Sequence, residues 1–159
     1  MCWPRRLGSL TLTQRRAFVF EQYYIQRSDA ASFSLLAGHT GFAPPTLLGA
    51  TVPQCKRCDS ASSRLFQYLA EGEVYAFSLL MQQAQALGAD EAALAAHTPS
   101  EGASSYPRLW ADMAYAGDRA AAAAAAAVNF PAWGLMCGRV RAALLSGAYG
   151  NVTEEEVAF

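Results

Sequence analysis

The chain has 159 residues, a length that suits one domain burying roughly 70% of the surface its unfolded form would expose. Its 12 basic and 13 acidic residues leave a net charge of -1, and the basic residues form no block, which argues against nucleic acid as a partner. The hydrophobic fraction is 53%, but alanine supplies much of it. No run of some 18 strongly apolar residues is read here and the alanine run looks too short and weakly hydrophobic to span a bilayer, so no membrane partner is expected.

Four cysteines (Cys2, Cys55, Cys58 and Cys137) are too few for a disulfide scaffold at this length, which points to a reducing compartment. Arg5, Arg6, Arg15 and Arg16 with no acid nearby give the first 16 residues a faint likeness to an organelle transit segment. They lack its length and serine content, so the cytoplasm is expected and organelle import stays open.

Thr11 or Thr13 can cap a helix from about Gln14 to Ala37, which Gly38 would end. Its apolar residues fall on more than one face, so it should be well buried. Glu21, Gln22, Gln26, Arg27 and Asp29 are set into that apolar body, and a buried polar group needs a partner or a wet cavity. Gly41 to Pro45 break the chain, Leu47 to Val52 could form one turn or an extended piece, and Pro53 to Ser63 reads as a polar loop. Cys55-Lys56-Arg57-Cys58 lies inside it. A structural zinc site needs four ligands and no second pair is present, so these read as surface thiols.

A second long helix is predicted from Ser62 or Ser63 to Leu87, with Gly88 ending it. Leu65, Leu69, Gly72, Ala76, Leu79, Gln83 and Ala86 form one helical row, and Phe66, Glu73, Phe77, Leu80, Ala84 and Leu87 the next. Together they make a broad inward face containing the carboxylate of Glu73. Such a group is either paired with a cation, for which Arg27 is the natural choice, or poised for chemistry. A short helix follows at Asp90 to His97, then a loop of small polar residues at Pro99 to Ser105. Tyr106-Pro107 opens a helix to about Ala116, with Pro107 in its first turn and Gly117 at its end.

Asp118 caps a last long helix, which opens with eight alanines, Ala120 to Ala127, and runs to Leu145. Alanine is the best helix former, and the narrow cylinder it makes suits a core helix. Pro131 should kink it, because its ring meets the carbonyl of Ala127. Beyond the kink Trp133, Met136 and Cys137 read as core residues that could line a cavity. Thr153 to Glu156 look like the cap and first turn of a further helix. With no period-2 pattern and no repeat, the fold class is all-α.

From Tyr68 to Tyr149 the order of features resembles the TenA/thiaminase II and PqqC family. The residues that carry this are Glu71-Gly72-Glu73, Leu79 to Gly88, Tyr106, Gly117-Asp118 and the alanine-rich helix leading to Pro131-Ala132-Trp133. The first helix, with Tyr23-Tyr24 and Gln26, is similar to that family's aromatic segment. The resemblance implies a haem-oxygenase-like helical bundle, incomplete at its C-terminus, around a pocket for a small-molecule ligand of the aminopyrimidine type. It implies hydrolysis in thiamine salvage, with Glu73 and Cys137 as candidate catalytic residues and Tyr24, Arg27, Tyr106 and Trp133 as candidate binding residues. No cofactor is implied.

Departures from the family are equally specific. Its nucleophilic cysteine corresponds to Ala132, which cannot form a covalent intermediate. Cys137 lies five residues on, about 140° around a regular helix. The family's aspartate after glutamine in the first helix corresponds to Arg27, and its last helices would lie beyond Phe159. These departures open the alternative of a non-catalytic small-molecule binding or interaction protein. A chain lacking those helices would expose an apolar face and form a homo-oligomer or need a partner. The third reading, a metal-dependent oxidase of the same fold, lacks ligands: the two histidines, His39 and His97, lie off the long helices, and no metal is expected. No axial histidine for haem is found near the start of the first helix.

Overall fold

The computed structural model describes residues 10–39 and 60–158, and within them every regular element is a helix: α1 (Leu12–Ala37), α2 (Ala61–Ala86), α3 (Glu91–Ala96), α4 (Glu101–Ala116) and α5 (Arg119–Leu145), with a short 3-10 turn at Glu155–Val157. The segment around Leu47 to Val52, the Cys55–Cys58 pair and Cys2 lie outside the described residues. Each α-helix starts at a polar side chain that accepts a backbone N–H of its first turn. At α1 the cap is reciprocal: Thr11 accepts from the Gln14 amide, and the Gln14 side chain accepts from the Thr11 amide at 2.8 Å. Gly38 ends α1 with φ of 107°, where its amide and that of His39 donate back to Leu35 and Ser34 at 3.0 Å each.

α1 and α2 form the central pair. Phe33 packs on Phe66 near one end and Tyr23 on Phe77 further along, so residue numbers rise on one helix as they fall on the other. The seam is antiparallel. Around one end Phe33, Leu36, Phe66, Trp110, Ala114, Ala122 and Ala126 gather from four helices; around the other Val19, Tyr23, Phe77, Leu80, Leu87 and Leu94 gather from three. On α2 the inward row is therefore Phe66, Ala70, Phe77, Leu80, Ala84 and Leu87. The broader face expected from the sequence narrows, since Leu65 and Gly72 are exposed.

Three further expectations change. Ser100 caps α4, so the run expected to be a loop is helical from Glu101, and Pro107 sits buried in the helix rather than in its first turn. The acidic segment after Thr153 makes a 3-10 turn whose Val157 is fully buried and which packs on α2, not the opening of an α-helix. Most consequential, α5 is not a core helix. In the alanine run only Ala122 and Ala126 are buried, and Val128, Leu135 and Met136 are 77%, 58% and 49% exposed. α5 continues through Pro131, and Ala127, whose carbonyl the proline leaves without a partner, lies at the surface where water reaches it. By length and composition α5 is also apolar enough to cross a membrane, because the apolar character runs past the alanines to Leu145. That corrects the reading of the alanine run taken by itself.

A helix with so little burial relies on local terms. Asp118 Oδ1 accepts the Ala121 amide at 2.9 Å. Asp118→Ala is therefore expected to lower stability by about 1 kcal/mol in urea denaturation. A variant as stable as the parent would show that α5 does not depend on its cap.

Candidate functional site

α1 presents two different rows of side chains. Gln22, Ile25, Gln26 and Asp29 recur at helical spacing on one side, and Phe20, Tyr24, Arg27, Ser28 and Ala31 on the other. Each row borders its own cavity.

The first cavity, of about 320 Å³, is walled by the Gln22 row of α1, Glu73 and Ala76 of α2, Tyr106 of α4, and Asn129, Phe130 and Trp133 of α5. Asp29 is 2% exposed, and its Oδ1 is buried without a hydrogen-bond partner, as is Oε1 of Gln26. Burial, and then the charge of Glu73, push the Asp29 carboxyl up to about 9. Burial alone pushes Glu73 up to about 7. Near neutral pH the site thus holds one protonated carboxyl beside one on the edge of ionising. Asn129 Nδ2 donates to the Tyr106 hydroxyl at 2.8 Å, fixing that ring at the cavity wall. Burial first, then the carboxyl of Asp29, push the Tyr106 phenol up to about 12, so it stays a neutral donor. Behind these walls lies a stack of rings: Trp110 meets Tyr106 edge-on at 6.1 Å and Phe130 face-on at 6.1 Å.

Glu73, Tyr106 and Trp133 therefore share one cavity. Tyr24 and Arg27 do not join them, because two residues along a helix are about 200° around it and Arg27 faces away from Asp29. The expected Arg27–Glu73 ion pair is absent for that reason; the neighbour of Glu73 is a second acid. Cys137 also lies elsewhere, in a cavity of about 200 Å³ lined by Phe18, Gln83, Trp133, Met136, Cys137 and Val140. Trp133 borders both cavities and stacks on Phe18 at 6.4 Å. Burial raises the Cys137 thiol above its usual range, the opposite of what a nucleophile needs. Ala132 is exposed and lines neither cavity.

Asp29 was not singled out from the sequence as a site residue. The available signal was the 22–26–29 spacing, which puts Gln22, Gln26 and Asp29 in one polar row at helical period. Asn129 and Phe130 gave no comparable signal. Among the described residues no three of His, Cys, Asp and Glu come together, so the two carboxyls are the candidate polar anchors of the cavity. Compared with family models, curated proteins and solved structures, the chain matches none.

Proposed function

We propose that the chain is a TenA-like protein of the haem-oxygenase-like type whose acidic cavity binds a small, flat, amino-bearing nitrogen heterocycle of the aminopyrimidine class. The observation that carries this reading is the pairing of a buried, unpartnered Asp29 with Glu73 between the aromatic walls of Tyr106 and Trp133. A protonated carboxyl donates through its hydroxyl and accepts through its carbonyl. An aminopyrimidine offers the matching pair, a ring nitrogen that accepts and an amino group that donates. Flat rings suit the aromatic walls, and a cavity of about 320 Å³ suits a small molecule.

A second reading, hydrolysis of that ligand, is favoured by the separation of the two carboxyls into an acid and a potential base. No thiol borders the cavity, so the route would be direct displacement by water. The water oxygen bonds to the aminomethyl carbon as the carbon–nitrogen bond breaks. Glu73 takes a proton from the water, and Asp29 gives one to the departing amine, which leaves as ammonia. A proton passing from Glu73 to Asp29 restores the pair.

Both readings are tested with 4-amino-5-aminomethyl-2-methylpyrimidine. A ligand that binds only the folded state raises the melting temperature, and no shift would overturn the binding reading. The hydrolytic reading expects the hydroxymethyl product, with Glu73→Gln slower by about 10²- to 10⁴-fold. A melting shift without product leaves a binding protein.

A further inference from the structure

The opposite row of α1 borders a separate cavity of about 330 Å³, closed on its far side by Leu94, Ala95 and His97. Arg27 is the cation of this cavity. Its guanidinium lies 5.1 Å from the centre of the Tyr23 ring, and Nη1 donates to the Tyr23 hydroxyl at 3.3 Å. Nε is buried and meets no acceptor, and no carboxylate pairs with Arg27 among the described residues. Arg27 is partly exposed, and a guanidinium held partly out of water gains from a counter-charge or lone pairs, of which one phenol ring supplies only a fraction. The carboxylate of Glu21 is already engaged: it accepts from the Ser100 amide at 3.1 Å and meets Nε2 of His97 at 3.2 Å. Asp29 and Glu73 border the other cavity.

We propose that this cavity is an anion site for a small organic carboxylate with a flat, apolar body. A single guanidinium matches a single negative charge, and its planar fork fits a carboxylate. Phe20, Leu94, Ala95 and the ring of Tyr24 supply walls for a flat, apolar body, which a bare inorganic ion would leave unfilled, and the hydroxyls of Tyr24 and Ser28 are further polar groups beside Arg27. The site is independent of the pyrimidine reading, since it shares no residue with the acidic cavity.

The test is a titration of the full chain with benzoate at neutral pH and low salt, followed by backbone amide NMR. Benzamide serves as the neutral isostere and inorganic phosphate as an anion without the body. Benzoate is expected to shift signals between Phe20 and Ala31 and between Leu94 and His97, saturably. Benzamide and phosphate should bind at least about tenfold more weakly. Arg27→Met should weaken benzoate by a similar factor, with Arg27→Lys between it and the parent. Ala95 is exposed on α3, so Ala95→Trp fills the cavity mouth without touching the core; it should block benzoate while the melting temperature holds. Benzamide or phosphate binding as tightly as benzoate would overturn the proposal, and so would undiminished binding by Arg27→Met or Ala95→Trp. If Arg27→Met does not fold, Ala95→Trp decides alone.

Discussion

Replacing Asp29 with asparagine is expected to stabilise the protein at pH 8 by several kcal/mol and to remove much of its pH dependence. Burial holds the Asp29 carboxyl at about 9 in the folded chain, against about 3.9 when unfolded. Below about pH 4 both states carry the proton and its ionisation costs nothing. Between about pH 4 and 9 the unfolded chain has lost a proton that the folded chain keeps, so stability falls as pH rises, by about 1.4 kcal/mol per unit. From pH 5 to 8 that is on the order of 4 kcal/mol from Asp29 alone. Glu73, raised to about 7, adds a slope of the same sign up to that pH. Asparagine has nearly the shape of the protonated acid and no charge to lose, so Asp29→Asn should retain only the Glu73 part. Urea midpoints at pH 5, 6, 7 and 8 provide the measurement. A parent protein that becomes more stable from pH 5 to 8, or a variant with the parent's slope, would contradict the burial of this acid.

Where the sequence was informative, the information was local. Thr11 and Asp118 cap the helices expected of them, and Gly38 and Gly117 end theirs in the left-handed region, because one side chain or one missing Cβ decides each of these features. Ser100 to Ser105 misled because serine and glycine favour loops by composition. There the cap at Ser100 and the burial of Ala103 and Pro107 prevail over propensity. The alanine run misled differently. A row of methyl groups states a preference for helix but is identical on every side, so it says nothing of which side is covered or how much. In the site, Glu73 was legible as a charge in an apolar row. Its true neighbour was not, since the choice between Arg27 and Asp29 turns on 200° of helix rotation together with the placement of α2 against α1. The family likeness was carried by the order of features, and that order does not fix whether Ala132 or Cys137 would reach the cavity; neither borders it.

Trp110→Ala is expected to cost about 3–5 kcal/mol and to loosen α5 more than the α1–α2 pair. Trp110 is 1% exposed and meets Phe33 edge-on at 5.0 Å, as well as Tyr106 and Phe130. α5 buries little else: its buried residues are Ala122, Ala126 and Leu144, the alanines contribute one methyl group each, and its other ties include the Trp133–Phe18 stack and hydrogen bonds from Arg119 and Asn129. Phe130, packed against both Trp110 and Phe33, is therefore a large anchor of its middle. The α1–α2 seam loses the Phe33 contact with Trp110 but keeps its own ring pairs, Phe33–Phe66 and Tyr23–Phe77, and its caps. Hydrogen exchange should accordingly show amides between Arg119 and Trp133 losing more protection than those between Val19 and Phe33. Tyr106 and Phe130 both rest on Trp110 and both wall the acidic cavity, so on the proposed binding reading any melting shift that an aminopyrimidine produces in the parent should disappear in the variant even where it remains folded. Leu135→Ala, on the exposed side of α5, is the contrast, with an expected change within about 0.5 kcal/mol. A loss below about 1 kcal/mol for Trp110→Ala, or an even loss of protection across all helices, would mean that α5 is held by something other than this ring stack.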